Sequence, residues 1–389
     1  MIDSFHFTHS PSVFFGNGKF SVLPDLINQK GKTALFVTGA QSFTNSKSWK
    51  QLQNQLDAKK LDCKHTIISC EPSPQSIDSI VSQYQETIDV VVAIGGGSVL
   101  DAGKAVSAML GKKESVKDFL EGVGTKTHNG SKIPFIAVPT TSGTGSEATK
   151  NAVLSEIGIN GYKKSLRHDR FVPDVALIDP ELTLTCPKIL TGASGMDAFT
   201  QLLESFLSSK ASIMTDSLAL KGLSCIRNGL TEVMKDGQNL GARTNMAYAS
   251  FASGLTLANA GLGSVHGMAG VIGGYFEMPH GTICGTLMSA VNSITVRKLR
   301  KEESQNIALK KYAKVGKMFS QRSHKSEDFH IDFLLNLIDE WCDKFEIPLL
   351  SNYGINSQDL DRIVQNSSNK NNPVALTEDD MREALSQRI

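Results

Sequence analysis

The chain has 389 residues, 40% hydrophobic and 20% charged, with a formal net charge of +1. That length is too great for one ordinary core and predicts two domains, and the composition excludes a disordered chain. Near-neutrality removes any general pull towards nucleic acid or anionic membranes, so neither is an expected partner. No apolar run is as long as a membrane span, and Met1–Ser10 lacks the basic and apolar regions of a signal peptide. The six cysteines (Cys63, Cys70, Cys186, Cys225, Cys284 and Cys342) form no CxxC pair and read as reduced thiols. The expected location is cytoplasmic.

In chain order, Asp3–Phe15 offers an alternating strand, and Lys32–Thr38 a buried one ending at Gly39. Ser46–Lys60 has the apolar spacing of a surface helix, Cys63–Ser69 is a further strand, and Ser76–Gln85 is helical. Asp89–Ile94 (DVVVAI) is almost wholly apolar, as in the middle of a parallel sheet covered on both faces. Lys132–Pro139 is another strand. This alternation predicts an α/β layer over residues 1–181, with a dinucleotide as the candidate ligand. Pro187–Ser209, Ile213–Leu230, Ala242–Ala258 and Phe329–Phe345 read as helices, so residues 182–389 are expected to form an all-α domain. Its tail, from Asn356, holds two helix-like pieces and is expected to pack.

Two strand ends carry ligand-binding chemistry. Asp89–Ile94 runs into Gly95-Gly96-Gly97-Ser98 and then a helix carrying Asp101. Glycines there let backbone N–H groups approach closely, and a helix N-terminus favours a pyrophosphate. The spacing is not GxGxxG, and taken alone the turn is as well read as a plain tight turn. The second strand end opens Thr140-Thr141-Ser142-Gly143-Thr144-Gly145-Ser146, rich in donors for phosphate, ribose or amide oxygens. Its bland alternative is a solvated loop satisfying its own backbone, but two such loops at consecutive strand ends favour a nucleotide.

The helical half holds a candidate metal site. Asp197 and Gln201 are four apart and share one helix face. His266 and His280 lie in glycine-rich, apolar sequence with no surrounding charge. One Asp and two His are ordinary ligands for a divalent transition metal. Gln201 offers a weaker amide oxygen, as fourth ligand or as holder of a bound water. Taken singly, His266 reads as a satisfied core histidine and Asp197 as a helix-start carboxylate. The joint spacing favours the metal. Cys284 has no evident basic partner and reads as a small core residue. His168, in the stretch Lys163–Arg170, reads as part of a solvated basic segment at the cleft edge, and His6, His9, His324 and His330 sit in polar contexts.

The segments IGGGSVLDAGKA, VPTTSGTGSEAT, GMDAFTQ, VHGMAG and MPHG, in this order and spacing, resemble the iron-containing (group III) alcohol dehydrogenases, and the likeness runs to the tail IPLLSNYGI and NNPVALT. The resemblance implies an N-terminal dinucleotide-binding α/β domain and a helical domain, with the active site between them. It places cofactor contacts on Gly96, Gly97, Ser98, Asp101, Thr140, Thr141, Ser142 and Thr144, and the metal, Fe²⁺ or Zn²⁺, on Asp197, Gln201, His266 and His280. The family usually has His where Gln201 stands, and many members have His where Gly270 stands. The implied reaction is NAD(P)-dependent interconversion of a small alcohol and its aldehyde or ketone by metal-assisted hydride transfer, with Asp197, His266 and His280 at the reacting centre. Alternatives are a metal-free reductase like the maleylacetate reductases, a lyase of the dehydroquinate-synthase type, or a decayed nucleotide-binding protein. A homodimer is implied too, with the edge of Asp3–Phe15 as one pairing surface. Apolar residues around Phe199, Phe251 and Phe276 point to a small, weakly charged substrate. No carboxylate follows Leu35–Thr38; Gly39 and Ser42 there leave room for a ribose 2′-phosphate, so NADPH is expected to serve at least as well as NADH.

Overall fold

A computed structural model describes residues 4–84 and 87–389. Its first half alternates β1 (Ser12–Phe15), α1 (Leu23–Lys30), β2 (Thr33–Gly39), α2 (Lys47–Ala58), β3 (Asp62–Ile68), α3 (Pro74–Gln83), β4 (Val90–Gly95), α4 (Gly97–Met109) and β5 (Phe135–Pro139). A hairpin, β6 (Asn151–Glu156) and β7 (Tyr162–Arg167), precedes β8 (Val175–Ile178). The sheet order is β1-β8-β5-β4-β2-β3, every pairing parallel, and β4 is buried throughout.

Alternation along the strands builds two cores. Leu35, Val37, Val91, Ala93, Phe135 and Ala137 face one way, with Ile77 of α3 and Ala105 of α4. Ala34, Phe36, Val90, Val92, Ile136 and Val138 face the other, with Leu26 of α1 and Leu52 of α2. Helices on both faces are what an all-parallel sheet requires. From β2 the chain goes outward to β3 and then returns to β4 on β2's other side. The direction reverses between β2 and β4, the place where open α/β sheets form a ligand crevice.

The second half is helical: α5 (Lys188–Leu207), α6 (Ile213–Lys235), α7 (Leu240–Ala260), α8 (Ser264–Tyr275), α9 (His280–Glu302), α10 (Ile307–Ser320), α11 (Glu327–Lys344), α12 (Leu360–Asn366) and α13 (Glu378–Ser386). They enclose one large apolar core. The tail packs through Ile363, Val364, Met381 and Leu385. Between its two helices the chain lies against the start of α8. Asn371 N–H donates to Leu262 O at 3.0 Å, and Ser264 Oγ donates to Asn369 Oδ1 at 3.1 Å. The approach is so close that a Cβ on Gly267 would run into the Ser368 carbonyl.

Several expectations are corrected. Part of Lys163–Arg170 is β7, paired antiparallel with β6, rather than a solvated stretch. Its only fully buried apolar side chain is Leu166, so charge hides the period of two. Phe199 does not face a cleft: it is wholly buried, stacked on Phe319 at 5.4 Å. Phe251 is likewise packed into a core, and Phe276 lies partly buried against the helical core. Of the expected strand Asp3–Phe15, only Ser12–Phe15 is a strand among the described residues, at the edge of the chain's own sheet; Asp3 lies outside the described residues. Among the described residues no single helix is long and apolar enough to cross a membrane.

Candidate active site

Among the buried side chains of helix α5 are one amide and two carboxylates. Asp197, Gln201 and Glu204 are four and three residues apart and are 1%, 1% and 6% exposed. Asp197 is the tenth residue of α5, which rules out a helix-start role. His266 stands in the first turn of α8, while His280 opens α9 with Cys284 one turn on.

These groups converge. His266 Nε2 is 3.4 Å and His280 Nε2 3.8 Å from Asp197 Oδ1. Cys284 Sγ is 3.4 Å from His266 Nε2 and 3.6 Å from His280 Nε2, so the expectation of a cysteine without a basic partner is wrong. A sequence search around His280 at helical spacing (i, i+4) would have found it. On the far side of the His266 ring, Nδ1 donates to Glu204 Oε2 at 2.6 Å, and Glu204 Oε1 accepts from Val265 N at 2.7 Å. A carboxylate holding one imidazole nitrogen leaves the other's lone pair aimed at the cluster, an arrangement common behind metal ligands. Glu204 was not foreseen; its signal is its place on the Asp197 face.

Electrostatics agree with a cation site. Burial opposes charge on Asp197, yet His280, His266 and the Gln201 amide hold its pKa down to about 2. Burial also opposes protonation of His266, but Cys284, Glu204 and Asp197 outweigh it and raise the pKa well above the ordinary range. Burial, with Lys163 and His266, takes His280 down to about 4 against the pull of Asp197. Burial pushes the Cys284 thiol up to about 12. Asp197 Oδ1 is buried without a hydrogen-bond partner. An acceptor left bare among imidazoles fits a metal ligand, and oxygen, nitrogen and sulfur donors so close together suit a divalent transition ion.

A cleft of about 350 Å³ runs from this cluster to the sheet. Its walls include Gly96, Gly97, Ser98, Asp101, Thr141 and Thr144 together with Asp197, Gln201 and His280. Thr141 and Leu190 also border a second cavity of about 120 Å³, which reaches Ser42, Thr140 and Leu182. Gly96 and Gly97 open α4, and a Cβ on Gly97 would sit 2.7 Å from Thr144 Cγ2, so only glycine lets the two loops meet. A slot of this shape at the sheet's switch point fits a dinucleotide. Gly39 and the Ser142 side chain line neither cavity, and Ser142 Oγ is buried without a partner. Asp101 is committed inward: Oδ1 accepts from Ser146 Oγ at 2.5 Å and Oδ2 from Val153 N at 3.1 Å. Glu71 and Lys163, both unforeseen, pair at 2.9 Å across the cleft wall, and Glu71 also accepts from Ser98 Oγ at 3.1 Å. None of His6, His9, His168, His324 or His330 lines the cleft.

Two family descriptions match most of the chain: iron-containing alcohol dehydrogenase over residues 10–180, and the C-terminal part of the Fe-containing alcohol dehydrogenase family over residues 191–389. The NADPH-dependent butanol dehydrogenase of Clostridium saccharobutylicum is 30% identical over 393 residues, covering 97% of this chain and 96% of its own. Alcohol dehydrogenase 4 of Saccharomyces cerevisiae is 32% identical over 292 residues, 74% of this chain and 75% of its own. The crystal structure of a 1,3-propanediol oxidoreductase superposes with a TM-score of 0.87 at 26% identity over the full length of both chains. The alcohol dehydrogenase from Oenococcus oeni gives 0.87 at 27%, covering 99% of this chain and 100% of its own. This chain belongs to the iron-containing alcohol dehydrogenase family. Its class is that of oxidoreductases acting on alcohols.

Proposed function

We propose that the protein interconverts a small alcohol and its aldehyde or ketone, using NAD(P) and a divalent metal. The observation that carries this reading is the convergence of Asp197 Oδ1, His266 Nε2 and His280 Nε2 at one end of a cleft that begins at two glycine- and threonine-rich strand ends. Asp197, His266 and His280 would hold the metal, which supplies Lewis-acid polarisation of the substrate oxygen. Gly96–Ser98 and Thr140–Thr144 bind the cofactor's phosphates and ribose, and Leu182 and Leu190 give its far end an apolar wall. Glu204 keeps His266 in one tautomer. His280, whose Nδ1 has no partner, and the Glu71–Lys163 pair are among the titratable groups on the cleft wall, and past them the alcohol proton leaves. Gly270, where many family members have His, lines a separate cavity with His266 and Lys370 and supplies no side chain. A metal-free reductase would leave Asp197 Oδ1 buried and bare, which disfavours that alternative. The test is oxidation of butanol and 1,3-propanediol by the purified protein, followed by nicotinamide absorbance. Activity should require metal and vanish on chelation; full activity after exhaustive chelation with no metal by elemental analysis would sink the proposal.

The cofactor preference follows from the end of β2. Gly39 offers no carboxylate to the ribose, and the similarity to an NADPH-dependent relative supports acceptance of the 2′-phosphate. A Cβ at Gly39 would meet only ordinary van der Waals neighbours, Ser42 Oγ and Val99 Cγ2 at 3.9 Å, so an aspartate fits. Gly39→Asp should shift preference towards NADH by on the order of 1–3 kcal/mol, the scale of one charge-assisted hydrogen bond to the ribose or one repulsion of the 2′-phosphate. The check is kcat/KM for both cofactors in both proteins; a strong wild-type preference for NADH contradicts the reading.

A further inference from the structure

Gln201 has the spacing of a fourth ligand, but its amide is engaged elsewhere. Nε2 donates to Asp197 Oδ2 at 3.2 Å and reaches Gly143 O at 3.5 Å, while Oε1 lies 3.4 Å from Ser253 Oγ, whose hydroxyl donates to Ser250 O at 2.7 Å. Turning the amide over would set Oε1 against a carboxylate and a carbonyl, acceptor against acceptor. The oxygen a metal needs therefore faces Ser253. Cys284 is placed differently. It is fully buried, yet its sulfur lies against the two nitrogens already argued to face the metal.

We propose that Cys284, as thiolate, is a fourth protein ligand that leaves a fifth position open for the substrate oxygen, that the resulting O,N,N,S set selects Zn²⁺ over Fe²⁺, and that Gln201 is a positioning residue for Asp197. The proposal rests on the metal reading above and deepens it. Zinc bonds of about 2.0–2.1 Å to nitrogen or oxygen and about 2.3 Å to sulfur imply tetrahedron edges of roughly 3.3–3.6 Å. Four of the six edges are 3.4 and 3.8 Å from Asp197 to the histidines, and 3.4 and 3.6 Å from the sulfur to them, three of the four within that range. All four donor atoms lie within 4.8 Å of one another. The bare Asp197 Oδ1 is a second, independent sign of an absent partner at this point. A thiolate beside two imidazoles is a softer set than oxygen and nitrogen alone, and softness favours zinc over ferrous iron. Coordination releases the thiol proton to solvent.

The experiment is X-ray absorption on the full-length protein loaded with zinc, alongside the visible and near-ultraviolet spectrum of its cobalt(II) form. Wild type should show one sulfur neighbour at about 2.3 Å and a cobalt form with a sulfur-to-metal charge-transfer band. Cys284→Ala, checked for fold by circular dichroism, should lose both and give up zinc to a chelator more than about tenfold more readily. Gln201→Leu should keep the sulfur signal, because its role is to orient Asp197. A metal bound by nitrogen and oxygen alone in wild type, or an unchanged cobalt spectrum in Cys284→Ala, overturns this proposal and leaves the metal-dependent reaction standing. Failure to bind any metal overturns both together.

Discussion

Replacing Asp197 by asparagine is expected to lower kcat/KM for alcohol oxidation by about a thousandfold while leaving the fold intact. The substitution keeps the volume of a side chain buried in mid-helix, so α5 and the core around it should be undisturbed. What it removes is the negative charge on Oδ1, the buried oxygen that both imidazoles face. A Lewis acid contributes several kcal/mol to such a reaction, and about 4 kcal/mol corresponds to about a thousandfold. Metal content should fall in parallel, and circular dichroism should match wild type. A variant within tenfold of wild type, with its metal retained, would show that Asp197 is a structural carboxylate.

The second large effect concerns stability. Lys104 of α4 is 1% exposed, and its ammonium donates to Ser146 O, Thr149 Oγ1 and Asn151 O, each at 2.8 Å, and to Ser146 Oγ at 3.2 Å. Burial presses its pKa down to about 8 despite Asp101 and Glu147 nearby. Asp101, one turn before it, binds the same segment through Ser146 and Val153. Together the two pin the chain between the threonine-rich loop and β6 onto α4. Lys104→Met fills the space but leaves carbonyls bare and the charge of Asp101 uncompensated. Buried acceptors stripped of a charged donor cost about 1–3 kcal/mol each, so a loss of about 3–5 kcal/mol is expected. The loss should appear as a lower denaturant midpoint. A shift below about 1 kcal/mol would mean that Lys104 is held without net benefit, as some buried pairs are.

Much of the fold was legible because packing dictates the pattern. A strand covered on both faces must be apolar throughout, and DVVVAI reads as β4 for that reason. The helix after it, the glycine turn between them and the helical second half follow from equally local rules. The β6–β7 hairpin was not legible, since Lys163, Lys164 and Arg167 face the cleft or solvent and only Leu166 marks the inner face. In the site, Asp197, His266 and His280 could be named because their spacing and surroundings are odd for a core. Glu71 and Lys163 could not, because an acidic or basic residue declares its partner only in three dimensions. Cys284 shows the limit most plainly: a small sulfur side chain suits an apolar core, and only the distance to two imidazoles separates filler from ligand.

The tail that lies across the start of α8 has a consequence for how the protein is made. His266 is held by Glu204, and the turn that presents it is stitched to Asn369, Asn371 and Asn372, more than a hundred residues later. On a ribosome adding about 5–20 residues each second, the α/β half and most of the helices emerge well before that strap does. The crevice at the strand ends can therefore form during synthesis, whereas the histidine end of the cleft waits for the last stretch of the chain. A nascent chain arrested at residue 360 should already protect the central strands from proteolysis, and should hold metal only after release of the full-length product.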